Sequence, residues 1–88
     1  MEIEFDPRQA AANLRKHRVS FEEAASCLLD PRALAMEDQR SEGEARWVLV
    51  GMSARARLLT VVYTLRGDNP RLISARKATA KEAQNYET

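Results

Sequence analysis

The chain changes period near its middle, and that change restricts its fold more than any other feature. From Arg46 onward, three runs read as strands: Arg46 to Met52 (RWVLVGM), Arg57 to Leu65 (RLLTVVYTL) and Arg71 to Ala75 (RLISA). The first two are apolar, β-branched and aromatic, the composition of central strands in a sheet. Ser53 to Ala56 joins them and is long enough for an antiparallel hairpin. Arg66-Gly67-Asp68-Asn69-Pro70 is a strong turn signal that returns the chain into the third run. Pro70 lacks a ladder donor, which predicts an edge or bulged start for that strand.

Ahead of Arg46 the spacing is helical. Glu2 to Phe5 alternates polar and apolar, the period of a short half-buried strand. Asp6-Pro7 opens a first helix, with Asp6 as cap, Pro7 at the first helical position and Gln9 placed to reach back. Ala10, Ala11 and Leu14 form its apolar stripe, and Arg15, Lys16, His17 and Arg18 suit its C-terminus. Ser20 and Glu23 make a capping box for a second helix, whose buried stripe is Phe21, Ala24, Ala25 and Leu28. Asp30-Pro31 stops it. The turn between the two helices is very short and centred on Arg18. Ala33 to Met36 fits a brief strand, and Asp38 to Glu44 a polar surface loop in which Glu42 and Glu44 are solvated charges. A third capping box, Thr79 with Glu82, starts a terminal helix that runs to about Tyr86. Helices bunched ahead of an antiparallel meander predict an α+β fold with the helices on one face of the sheet.

Eighty-eight residues predict one small domain of modest stability. A hydrophobic share of 44% argues against disorder. Cys27 is the only cysteine, which excludes an internal disulfide and a cysteine-based zinc site and fits a reducing, cytoplasmic setting. No apolar run approaches the about 20 residues needed to span a bilayer, and the acidic start MEIEFDP is unlike a signal peptide. Charge is divided along the chain. Residues 1–44 hold six arginines and lysines against ten carboxylates, a balance of −4, whereas residues 45–88 hold eight against three, +5. Such a division suits either a basic face for an anionic partner or two halves that attract each other.

Strand alternation puts Arg71, Ile73, Ala75 and Lys77 on one side and Leu72, Ser74 and Arg76 on the other, so that Arg76 and Lys77 straddle the sheet. The free N–H groups of the terminal helix follow immediately, and cations beside such donors make a phosphate site. The competing reading pairs Arg76 with a carboxylate of the acidic first half. Tyr63, in an apolar strand, reads as core with its hydroxyl satisfied or as a catalytic group. His17, the lone histidine, reads as a helix C-terminal cation or as a general base near neutral pH. Arg55, Arg57 and Arg66 lie in or beside turns, where they contact phosphates or keep the turns soluble. Cys27, among apolar neighbours, reads as packing.

The ordered blocks EFDP, AANLRKH followed by VSFEEA, the DP after the second helix, SEGEAR, the strand from Arg57, the RGD turn and ISARKAT cover nearly the whole chain. Together they resemble the BrnT family of bacterial type II toxins. That resemblance implies a RelE-like fold, with two N-terminal helices on a curved antiparallel sheet and a short C-terminal helix. It implies a metal-independent endoribonuclease, without cofactor, that inhibits translation and growth. It also implies a BrnA-type antitoxin, with promoter DNA reached only through that partner. Residue by residue, the resemblance carries over Lys16 and His17 from the KH block and Arg76 and Lys77 from the SARKA block; Arg76 and Lys77 are expected to hold the scissile phosphate, with His17 or Tyr63 as acid or base. Lys16, Arg55, Arg57, Arg66 and Arg71 are left to bind RNA. The chain departs from the family at Arg18, where glycine is common, and at Arg40, Tyr63 and Leu65, where histidine or glutamate is frequent. The alternative implied by those departures is a catalytically weak homologue that acts as an antitoxin-binding module.

Overall fold

The computed structural model describes residues 1–40 and 43–87; Glu42, expected as a solvated loop charge, lies outside them. The elements run α1 (Pro7–His17), α2 (Phe21–Cys27), β1 (Leu34–Glu37), β2 (Arg46–Met52), β3 (Leu58–Arg66), β4 (Asn69–Lys77) and α3 (Ala80–Glu87). The strands form one antiparallel sheet in the order β1-β2-β3-β4. The α+β expectation therefore holds, and local signals explain most boundaries. The Asp6 carboxylate accepts from the Arg8 N–H at 2.8 Å and caps α1, with Pro7 at the first helical position. The Ser20 hydroxyl accepts from the Glu23 N–H at 3.0 Å and caps α2. Arg18 supplies the tight turn between the two helices at φ 61, ψ 32, the left-handed region that costs a residue with a Cβ about 1–2 kcal/mol. Arginine thus takes the backbone conformation that glycine adopts freely.

Three expectations need correction. The Glu2–Phe5 strand shrinks to one parallel bridge between Glu4 and Arg71 on the outer edge of β4, where the Glu4 N–H reaches the Pro70 carbonyl at 2.8 Å. The α1 stripe is displaced: Leu14 is 49% exposed and Ala11 is exposed, and the residue α1 buries is Asn13. The helices are not all on one face. α1 and α2 cover the face bearing Leu49, Leu59, Val61, Leu72 and Ala75, which with Val19, Phe21, Ala24 and Cys27 make the core. Thr60 and Arg76, cross-strand partners on the opposite face, both bond Glu82 of α3, so α3 lies on that opposite face.

Asn13 explains how α1 is held. Its side-chain amide donates to the Ala75 carbonyl at 2.8 Å and accepts from the Ala75 N–H at 3.0 Å, and so stands in for a neighbouring strand at the β4 edge. The same amide also donates to the Val19 carbonyl at 2.9 Å, which ties α1 to the interhelical turn.

β4 is irregular where the sequence pattern is regular. Val62 pairs with Ser74 but Tyr63 with Leu72, leaving Ile73 as the extra residue of a bulge. A bulge shifts the alternation by one. Leu72 and Ala75, expected on opposite faces, are both buried in the core, while Arg71, Ser74 and Arg76 share the other face.

Candidate nucleic-acid interface

The basic residues fall into two groups, those neutralised inside the fold and those left unpaired. Arg57 belongs to the first. Its guanidinium donates to both carboxylate oxygens of Glu23, at 2.9 Å from Nε and 2.5 Å from Nη2, and the Ser53 hydroxyl donates to the same carboxylate at 2.7 Å. The Glu23 side chain is only 4% exposed. It leaves the capping-box position expected for it because a charged partner sits across the core from α2, and a bidentate arginine is the stronger bond.

Arg76 belongs to the first group too. It forks onto Glu82 at 2.8 and 3.0 Å, and the Thr60 hydroxyl and the Thr79 N–H donate to the same carboxylate at 2.9 and 2.8 Å. The competing reading of Arg76 as an ion-pair partner is the one the fold adopts, but the carboxylate comes from α3 rather than from the acidic first half. Arg76 and Lys77 do point to opposite faces; Lys77 is exposed at the end of β4. The donors expected to serve a phosphate at the start of α3 are partly used, since the Glu82 N–H also bonds Thr79 Oγ1 at 3.2 Å.

Both ion pairs shift acid–base behaviour. The Arg57 and Arg76 guanidinia hold the Glu23 and Glu82 carboxyls at about 2, against an ordinary value of 4.5. A carboxyl whose folded value is depressed stabilises the fold above its unfolded value, and that contribution disappears as pH falls through the folded one. The thermal midpoint is therefore expected to decline as pH drops from about 4.5 towards 2. A Glu23→Gln, Glu82→Gln double variant should show a clearly smaller decline over the same range by circular dichroism. An equal slope in both proteins would remove these pairs as its cause.

Part of the unpaired group shares one surface. Arg46, Thr64 and Arg71 are consecutive cross-strand partners on β2, β3 and β4, and so project from the face opposite the α1–α2 core. With Arg66 they line a groove of about 290 Å³ closed by Asp6, Gln9, Glu44 and Ile73. None of the three arginines makes a side-chain hydrogen bond or ion pair among the described residues. A second groove, of about 200 Å³, is lined by Lys16, His17, Gln9, Ala12, Asn13, Ile73 and Ser74. Gln9 and Ile73 line both, so the two grooves adjoin at these side chains, beside α1 and the β4 edge.

The structure therefore gathers Lys16, His17, Arg66 and Arg71 and separates them from the other expected site residues. Tyr63 pairs with Trp47 and Leu72 on the core face, packs against the core, and has its phenol pushed upward by burial. Arg55 is exposed in the β2–β3 turn. Arg40 lies 3.9 Å from Asp38 in an exposed pair, and Leu65 is 45% exposed. Cys27 is fully buried with its thiol pushed up to about 11, chiefly by burial, in line with a packing role. Sequence reasoning missed Arg46 and Thr64. They are distant in sequence and neutral in motif, and only strand register aligns them. Glu44, read as a solvated loop charge, sits at the groove rim. Among the described residues no group of three or more His, Cys, Asp or Glu is placed to hold a metal ion, and no helix is long and apolar enough to cross a membrane.

A family model described as "Ribonuclease toxin, BrnT, of type II toxin-antitoxin system" matches residues 5–82. The fold is similar to the crystal structure of the Brucella abortus ribonuclease toxin BrnT, with a TM-score of 0.69 at 21% sequence identity over 90% of this chain and 97% of that one. No curated protein matches the sequence.

Proposed function

This chain belongs to the BrnT family of ribonuclease toxins of type II toxin–antitoxin systems, and from that premise we propose that it cleaves RNA by internal transesterification, with the substrate laid along the adjoining grooves. The observation that carries the proposal is that the Lys16–His17 groove adjoins the arginine groove at Gln9 and Ile73. In this reading Lys16 and Arg71 hold the scissile phosphate. His17 takes the proton of the ribose 2′-hydroxyl, whose oxygen bonds the adjacent phosphorus. The cations stabilise the pentavalent charge, and the bond from phosphorus to the 5′-oxygen breaks. The leaving oxygen takes a proton from water, so the products are a 2′,3′-cyclic phosphate and a 5′-hydroxyl. Positioned charge and proton transfer suffice, and no metal enters the step. Arg76, Arg57 and Tyr63 are left out of the set because the first two are bound to carboxylates and the third packs against the core.

A type II system pairs its toxin with a protein antitoxin. We take the partner to be BrnA-type and to carry any promoter binding, with RNA cleavage in the cytoplasm blocking translation and growth. The deciding assay uses the chain produced alone and a single-stranded RNA, first without and then with EDTA. Cleavage with cyclic-phosphate ends is expected. Loss of cleavage on adding EDTA would sink the metal-free step. No cleavage under any condition, with antitoxin binding intact, would return the chain to the role of an interaction module.

A further inference from the structure

We propose that Arg46, Thr64 and Arg66 form a separate anion subsite that holds a phosphate of the RNA backbone flanking the scissile one. The subsite deepens the cleavage reading and relies on it only for the identity of the anion. Neighbouring strands lie about 4.8 Å apart. The register Arg46–Thr64–Arg71 therefore sets two guanidinium-bearing residues on either side of a threonine, roughly 10 Å from each other at the backbone. Thr64 is 4% exposed, yet its hydroxyl makes no hydrogen bond among the described residues, and the residue lines the groove. Arg66, at the end of β3, completes the lining.

Two carboxylates share the groove, and neither neutralises it. Asp6 accepts the Arg8 N–H as the cap of α1, and Glu44 makes no ion pair within 4.0 Å among the described residues. The contrast with the rest of the molecule is informative. Arg57 and Arg76 are each held bidentate by a carboxylate, whereas three arginines here converge without one. Like charges gathered on one face repel until an anion enters, and the guanidinium fork matches phosphate oxygens. α3 occupies the same sheet face further along, where Glu82 binds Thr60 and Arg76, which leaves the Arg46–Thr64–Arg71 row as an open stretch of that face. A backbone crossing it continues past Ile73 to His17.

The test separates binding from cleavage. Binding of a 2′-O-methyl oligonucleotide, which lacks the attacking hydroxyl, is measured across a salt series for the full chain. Arg46→Gln is expected to weaken affinity roughly fivefold and to reduce the salt slope by about 0.7. Thr64→Val, which keeps shape and β-branching, should weaken it about twofold to fivefold without changing the slope. Arg32→Gln, the same charge change on a turn outside the groove, should do neither. On cleavable RNA, Arg46→Gln should raise KM and leave kcat unchanged, because a flanking contact binds ground and transition states alike. Inorganic phosphate titrated against the wild-type chain should shift the Thr64 amide resonance, and Arg46→Gln should abolish that shift. Affinity and slope unchanged in Arg46→Gln, or an equal effect in Arg32→Gln, would overturn the subsite. A wild-type chain that binds the oligonucleotide through Arg46 yet cuts no RNA would refute the cleavage reading and leave the subsite standing.

Discussion

Asn13→Ala is expected to cost about 3 kcal/mol of stability. Three bonds disappear together, and the groups left behind are main-chain atoms in buried surroundings: the Ala75 N–H, the Ala75 carbonyl and the Val19 carbonyl. Each buried group without a partner costs about 1–3 kcal/mol. Alanine's better helix propensity returns roughly 0.5 kcal/mol, and water entering at the β4 edge offsets some of the rest. For a chain of this length the thermal midpoint should fall by roughly 12–24 °C. Leu14→Ala, on the same helix but 49% exposed, should cost about 0.5 kcal/mol or less. Urea unfolding of both variants checks the ordering. If Leu14→Ala proved the more damaging, α1 would be held by its aliphatic stripe and the amide would be incidental. Because Asn13 and His17 lie one turn apart and line the same groove, the structural variant should also lose activity wherever the edge of β4 loosens.

His17→Ala, by contrast, should leave the fold intact and reduce RNA cleavage by about 10²- to 10⁴-fold, the usual worth of a positioned proton-transfer group. The residue ends α1 without capping it; the C-cap is Arg18, whose N–H reaches the Leu14 carbonyl at 2.9 Å. Little stability therefore rides on the imidazole, and its half-buried ring borders a groove with Lys16 and Ser74. Single-turnover cleavage at saturating protein isolates the chemical step. Added imidazole should restore part of the rate in His17→Ala but not in Lys16→Ala, because only a missing proton acceptor can be replaced by a diffusing one. A rate within about threefold of wild type, with no response to imidazole, would remove His17 from the chemistry.

Much of the fold was legible because it depends on neighbours in sequence. Asp6, Ser20 and Thr79 cap the helices they precede, and Gly67, at φ 61, sits in the turn between β3 and β4. The strands are where apolar runs place them, although β4 extends beyond its expected Arg71–Ala75 span to Asn69–Lys77. Legibility stopped where a residue had two partners to choose between. Glu82 does reach back to the Thr79 N–H as its spacing predicts, and binds Arg76 as well. Glu23 occupies the same position in its own box, but it faces the core and goes to Arg57 instead. Spacing is identical in the two boxes, and only the surroundings of the side chain differ.

The candidate site divides in the same way. Lys16 and His17 were legible through the KH block of the family the chain resembles, and Arg66 and Arg71 as cations of the basic second half. Arg76 and Lys77 were equally conspicuous, yet Arg76 is bound by a helix that the sequence alone had placed on the wrong side of the sheet.

By itself the sequence determined element types, their order, the caps and the excess of cations in the second half, since each follows from local sterics, local hydrogen bonds or simple composition. Tertiary structure alone decided which cations remain available. The Ile73 bulge resets which side chains share a face, strand register sets Arg46, Thr64 and Arg71 in a row, and α3 turns onto the far face to bind Arg76. Each of these is a long-range pairing between segments that carry no signal about one another until the sheet brings them together.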